Sequence, residues 1–325
     1  MRTIKLSIAY DGTEFAGWQK QPGKRTIEGL LEPSLEKILR EKVELAVAGR
    51  TDAGVHALGQ VASFYTHSRL PPETLRRALN ANLPPEIRVW DVAEVASAFH
   101  ATRSAIKKCY QYLIFDGPLG DPFSWRYTWH YRWGRLDAES MQEAAHWLVG
   151  THDFASFQSA GSPRTDTVRT IFQAWVRRIA ANRFSGMGPI VASIVWQSFS
   201  QPPPRQDETG YGSESPLSRA DPLQGEASAS NHSLVVVEVE GNGFLYNMVR
   251  IIVGSLVEVG RQARSPDWLK QVLEGRDRRL AGPTAPPHGL FLTRVDYPAE
   301  LLKPPVGSHQ AADEPSGRPA GSCVR

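Results

Sequence analysis

The sequence predicts an α+β fold with a mostly antiparallel sheet, and three observations carry that reading. Short stretches of alternating apolar and polar residues recur along the chain. Amphipathic stretches of helical period are interspersed with them. The two kinds do not alternate in the strict order that a parallel sheet and its crossovers require.

Residues 3–10 read as a strand, with Ile4, Leu6, Ile8 and Tyr10 on one face. Residues 26–40 read as a helix whose apolar stripe is Ile27, Leu30, Leu31, Ile38 and Leu39, and Pro33 inside it is expected to kink or split it. Strands follow at 43–48 and 60–66, then a short helix at 73–82 and a strand at 87–95. The second half opens on a strand, 107–115, in which Tyr110, Tyr112 and Ile114 share a face. For a helix at 138–149, Asp137 is the N-cap, Leu136 and Met141 staple the entry, and Gly150 is the stop. Strands at 168–179 and 233–240 lead to a long helix at 244–259, stopped by Gly260. Ser265-Pro266 starts another helix that ends at Gly275, and "GLFLTRVDY" supplies the last strand. Residues 198–232 and 303–325 are rich in small, polar and proline residues. They bury too little apolar surface to offset ordering, so a disordered loop insertion and a disordered tail are expected.

At 325 residues, with 41% hydrophobic and 22% charged residues, the composition is that of a soluble globular protein with a large core. No apolar run approaches the roughly 20 residues that span a membrane. The start alternates like a strand where a signal peptide would carry an apolar block. Cys109 and Cys323 belong to no CxxC pair, and both are expected to be reduced thiols of a cytoplasmic protein. A net charge of +3 permits nucleic-acid binding without demanding it. The basic clusters Lys24-Arg25, Arg76-Arg77, Lys107-Lys108, Arg177-Arg178 and Arg276 to Arg279 are either solvated faces or parts of a phosphate-binding surface.

Chemistry concentrates in "AGRTDAGVHALGQ", residues 48–60. Arg50 could hold Asp52 as an anion, lowering its pKa by about 1 to 3 units, while Gly54 lets the loop bend sharply. The alternative is that Asp52 caps an ordinary turn. His56 has no partner at metal-ligand spacing, so no metal site is expected. Phosphate-loop, zinc-protease and nucleophile-elbow patterns are all missing. In "NGFLYNMVRIIVGSL", Asn247, Arg250, Gly254 and Glu258 form one less apolar stripe on a helix whose Met248, Val249, Ile251 and Ile252 look buried. That stripe either faces solvent, with Arg250 beside Glu258, or lies against something close enough to need Gly254. Tyr110 is either core packing or a pocket wall.

"GRTDAGVHALGQVASF" closely resembles the active-site segment of TruA-type tRNA pseudouridine synthases. "YDGTEFAGWQKQP", "NANLPPEIRV", "FHATRSAIKKCYQYLI", "GTHDFASF", "GNGFLYNMVRIIVGSLVEVG" and "GPTAPPHGLFLTRVDYP" are similar to that family's segments and follow in family order. The resemblance covers about 1–197 and 233–298. It implies two related α/β-sandwich (ferredoxin-like) halves, 1–103 carrying the Asp52 loop and 104–300, with helices on one face and the active cleft between the halves. It further implies that Asp52 is the nucleophile, that Arg50 pairs with it and helps flip the base, and that Tyr110 packs on the base. Arg250 would contact the aspartate, and Leu292 would line the pocket. The implied activity is isomerisation of uridines 38, 39 and 40 in the tRNA anticodon stem-loop, by a homodimer and without cofactor. A non-catalytic RNA-binding protein of the same architecture and a metal-dependent RNA hydrolase are the competing readings.

Overall fold

The alternation of the first strand carries through into a computed structural model that describes residues 1–120, 122–159, 161, 165–180 and 233–304. Strand β1 (Arg2–Tyr10) buries Ile4, Leu6 and Ile8 completely and Tyr10 almost so. The other strands are β2 (Ala46–Val47), β3 (His56–Thr66), β4 (Ile87–Val95), β5 (Lys107–Phe115), β6 (Trp129–His130), β7 (Gly150–Asp153), β8 (Val168–Ala180), β9 (Ser233–Gly241) and β10 (Leu290–Asp296). Together they form one ten-stranded sheet in the order β4-β1-β3-β10-β5-β9-β8-β7, with β2 beside β3 and β6 beside β5. Every pairing is antiparallel except β10 with β3 and β5 with β6. The last strand is therefore the seam: it joins β3 of the first half to β5 of the second.

Five helices are seen among the described residues: α1 (Ile27–Leu39), α2 (Pro72–Asn82), α3 (Ala138–His146), α4 (Met248–Gly260) and α5 (Trp268–Gly275). All bury their apolar faces in a single core, which also takes Ile8 and Phe64 from the first half and Tyr112, Val237 and Leu290 from the second. Helices on one face of a mostly antiparallel sheet is the expected architecture. The opposite face carries two smaller clusters, one around Phe115, Val236 and Phe291 and one around Val61, Phe99 and Ala101.

Several boundaries differ from the expectation for identifiable reasons. Pro33 does not split α1, which runs on as one helix. Leu30, Ile38 and Leu39 are only partly buried, and the fully buried stripe is Ile27, Leu31 and Leu35. Burying those three at about 1.5 to 3 kcal/mol each outweighs a proline cost of about 3 kcal/mol. Pro33 is also exposed, which leaves water to satisfy the carbonyl it cannot pair. Strand β3 begins at His56, four residues early, because β10 pairs with His56 and Ala57 from the far end of the chain. Helix α4 begins at Met248 because Asn247 adopts a left-handed backbone (φ 59°). The short strands β6 and β7 carry too little alternation to be read from sequence. At α3 the expected cap holds: Asp137 accepts from the backbone N–H groups of Glu139 and Ser140, both at 3.1 Å, and Leu136 and Met141 are buried beside it.

The proposed insertion at 198–232 and all but the first two residues of the tail at 303–325 lie outside the described residues. The ends of β8 and β9 pair with each other, Ala180 opposite Ser233.

Candidate active site

The segment between β2 and β3 is fixed by backbone contacts, with Thr51 and Val55 buried and Arg50 and Asp52 left at the cleft. Trp18 N–H donates to the Thr51 carbonyl (3.0 Å), Gly54 N–H to Phe15 (3.2 Å) and Val55 N–H to Asp52 (3.1 Å). Gly54 has φ +76° and packs against Pro287, so a side chain here would meet both backbone strain and a neighbour at 3.1 Å. His56 is buried and anchors the end of the loop. Its Nδ1 lies 3.0 Å from the Gly12 N–H and 3.2 Å from Asp11 Oδ1, and its Nε2 lies 3.1 Å from the Arg126 carbonyl. Among the described residues, no three His, Cys, Asp or Glu side chains are grouped to hold a metal ion.

Asp52 opens into a cleft of about 1410 Å³ lined by both halves of the chain. Its partner is Arg250, with Nη1 at 3.7 Å from Oδ2. Burial raises the Asp52 carboxyl above the usual aspartate value, and Arg250 pulls it back only in part. The lowering expected from a neighbouring arginine is therefore corrected: desolvation wins. The expected Arg50–Asp52 pair is corrected too. Arg50 is exposed on the cleft wall and forms no ion pair among the described residues.

Arg250 is aimed by its surroundings. Its Nε donates to the Ala285 carbonyl (2.7 Å) and its Nη1 to Asn247 Oδ1 (2.8 Å), while Ala285 N–H donates to the Arg250 carbonyl (3.1 Å). Glu258, the alternative partner, is taken by Arg261 at 2.6 Å. Gly254 lies one turn further along α4, where a Cβ would come within 1.7 Å of the Pro283 carbonyl oxygen. Its cost in mid-helix thus lets the 282–286 segment lie against α4 and clamp Arg250. Gly254→Ala is expected to destabilise the fold by at least about 1 to 3 kcal/mol through overpacking. Thermal unfolding measures this, and a melting temperature equal to wild type would refute the clamp.

Tyr110 lies at the middle of β5 on the same cleft, buried, with its ring edge-on to Phe244 at 5.1 Å between centroids. Burial pushes its phenol well above the usual tyrosine range, reinforced by Tyr10 and Asp52 nearby. Leu292 pairs with Tyr110 across β10 and β5 but is fully buried in the core and does not line the cleft. Leu290, two residues earlier on the same face, does. Sequence reasoning pointed to Leu292, its neighbour on that face. It also missed the cleft aromatics Tyr65, Phe244 and Tyr246, and placed Lys108 only in a generic basic cluster.

The cleft carries the cations Lys24, Arg50, Lys108 and Arg250 together with those aromatic rings, a combination suited to phosphate and base. Elsewhere the basic clusters are partly neutralised: Arg25 by Glu86, Arg76 by Glu73, Lys107 by Glu240, Arg178 by Asp116 and Arg279 by Asp277. A smaller hollow of about 270 Å³ beside Trp147 and His152 already has Arg276 near Asp153 (3.4 Å) and Lys270 over Trp147.

A family model described as tRNA pseudouridine synthase matches residues 6–102 and 144–298. The chain belongs to the tRNA pseudouridine synthase family. Among curated relatives, tRNA pseudouridine synthase A of Chloroflexus aurantiacus is 40% identical over 303 residues, covering 93% of this chain and 91% of that protein. The enzymes of the same name from Brevibacillus brevis and a Thermoanaerobacter species are 39% and 35% identical, each over 91% of this chain and their whole length. Membership of a pseudouridine synthase family makes the chain an isomerase, and the Asp52 loop and the Arg250 helix both fall within the matched residues.

Proposed function

We propose that this chain isomerises uridine to pseudouridine at positions 38, 39 and 40 of the tRNA anticodon stem-loop, with Asp52 as nucleophile and without a cofactor. The observation that carries the reading is a single half-buried carboxylate, steadied by Arg250 and flanked by Tyr110, opening into a cleft wide enough for a nucleotide. The reaction breaks the N1–C1' bond, joins C1' to C5 and releases the C5 hydrogen as a proton, with N1 taking up another. No electrons are gained or lost, so one oxygen nucleophile suffices. Attack on the base, attack on C1' and removal of a sugar proton all use the same Asp52 carboxylate.

The target base must leave its stack, at a cost of a few kcal/mol. Tyr110 offers a face that offsets part of that cost, and exposed Arg50 is placed on the wall to follow the flipped nucleotide's phosphate. Arg250 holds Asp52 ionised against the pull of burial. Tyr110→Ala is expected to weaken tRNA binding by about 1 to 3 kcal/mol, the worth of one base–aromatic stack. Tyr110→Phe keeps the face and binds nearly as wild type. Equal losses for the two variants in a tRNA titration would reject stacking.

The division at 103/104 into two halves is supported by the way Asp52 comes from one and Tyr110 and Arg250 from the other. A homodimer in the cytoplasm follows from the family reading. Leu119, Phe123, Trp125 and Trp133 are large exposed apolar side chains that a second copy would cover. No helix among the described residues is long and apolar enough to cross a membrane. Tritium release from a tRNA transcript labelled at C5 of uridine tests the activity, with EDTA present. Release without strand scission is expected; scission, or binding with no release, would favour the hydrolase or the non-catalytic reading.

A further inference from the structure

Beneath the Asp52 loop lies a buried chain of hydrogen bonds that the roles above do not use. Gln60 Nε2 donates both to the Gly49 carbonyl (2.8 Å) and to the Tyr10 hydroxyl (3.2 Å). The Tyr10 hydroxyl in turn lies 2.7 Å from Thr51 Oγ1. Gln60 is fully buried, Tyr10 is 4% exposed and Thr51 is 7% exposed. Gln60 also accepts from Val61 N–H (3.2 Å) at Oε1, so its amide is committed at both ends. The three side chains are buried, and each of their polar groups has a partner.

The backbone explains why these groups meet. Between β1 and β3 the register slips: Ile8 faces Gln60 but Tyr10 faces Ala57, which inserts one extra residue into β3. Such a bulge turns a side chain away from its regular direction. Gly59 lies within it and lets β3 approach β10, where a Cβ would come within 2.2 Å of the Thr293 carbonyl oxygen. Burial pushes the Tyr10 phenol up to about 12, so it stays a neutral hydroxyl able to donate at working pH. The Tyr10 ring is seated against Trp18, and Trp18 N–H holds the Thr51 carbonyl.

We infer that Gln60, Tyr10 and Thr51 are positioning residues for the isomerisation: they grip the loop at Gly49 and at Thr51, on either side of Arg50, and so set the direction of Asp52. This rests on the reading of Asp52 as the reacting carboxylate. Tyr10 and Gln60 lie behind the cleft wall, and Thr51, which is part of that wall, turns its hydroxyl to Tyr10, so removing these groups should spoil alignment and spare binding. A misplacement of about 1 Å costs on the order of 100-fold in rate.

The test uses the full chain and an unmodified tRNA transcript, with single-turnover rate and tRNA Kd measured separately. Tyr10→Phe and Thr51→Val each remove one hydroxyl with little change of shape. Each is expected to lower the single-turnover rate at least tenfold while Kd stays within threefold. Because both cut the same chain, the double variant should be no slower than the slower single one. Thr51→Ser keeps the oxygen and should restore most of the rate. Leu79→Ala, in the core of α2 and far from the loop, serves as a control that lowers the melting temperature without lowering the rate well below it. Wild-type rates in Tyr10→Phe and Thr51→Val would overturn the inference. So would fully multiplicative losses, or losses that Leu79→Ala reproduces at equal melting temperature. Failure of the wild-type protein itself to form pseudouridine would instead defeat the proposed function.

Discussion

Asp52→Asn is expected to form no detectable pseudouridine while binding tRNA within about tenfold of wild type, a shift of no more than 1.4 kcal/mol. The substitution is nearly isosteric, but an amide is neither a nucleophile nor a counter-charge for Arg250. Stability should move the other way. Because burial raises the Asp52 carboxyl in the folded state above its unfolded value, the folded protein binds that proton more tightly. The ionised group therefore costs stability above the folded pKa, and the cost is relieved as pH falls through it. At neutral pH the Asn variant is expected to melt at or above the wild-type temperature. Substantial single-turnover activity in this variant would remove Asp52 from the role of nucleophile. Melting well below wild type would show that the carboxylate stabilises the loop.

Arg250→Gln is expected to lose about 10² to 10³ in rate, the usual effect of deleting one preorganised electrostatic partner. The pH profile gives a sharper readout than the rate alone. Burial raises the Asp52 carboxyl and Arg250 lowers it, so removing the guanidinium leaves burial unopposed. The carboxylate then takes up a proton at higher pH, and the acid limb of the rate moves upward relative to wild type. Asn247 and Ala285 still hold the neighbouring backbone, so gross unfolding is not expected. An acid limb that stays in place, or moves down, would show that Arg250 does not act on Asp52.

The elements legible in the sequence were those whose pattern is local. β1 alternates over most of its length, β5 and β9 are short runs rich in β-branched and aromatic residues, and the entry of α3 is written in Leu136, Asp137 and Met141. Gly254 was legible as a cost without a visible benefit, and the benefit is the close approach of Pro283. What was hidden depends on distant partners. The early start of β3 needs β10, and the partner of Asp52 stands 198 positions away at Arg250, while Arg50, two positions away on the same cleft, makes no ion pair with it. Proximity in sequence misled because ion pairing is decided by which elements the fold brings together. The Leu290 and Leu292 positions share a face, and only the depth of the cleft tells them apart. Tyr10 and Gln60 read as ordinary strand residues because a bulge, invisible to periodicity, brings their polar ends together.

Site-resolved mapping of pseudouridine in an unmodified tRNA transcript, after incubation with purified wild-type protein, tests the central claim most directly. The account predicts pseudouridine at uridines 38, 39 and 40 where the transcript carries them, no other modified site, and none with Asp52→Asn. An unmodified anticodon stem-loop despite tight tRNA binding, or pseudouridine formed equally by the Asn variant, would contradict it.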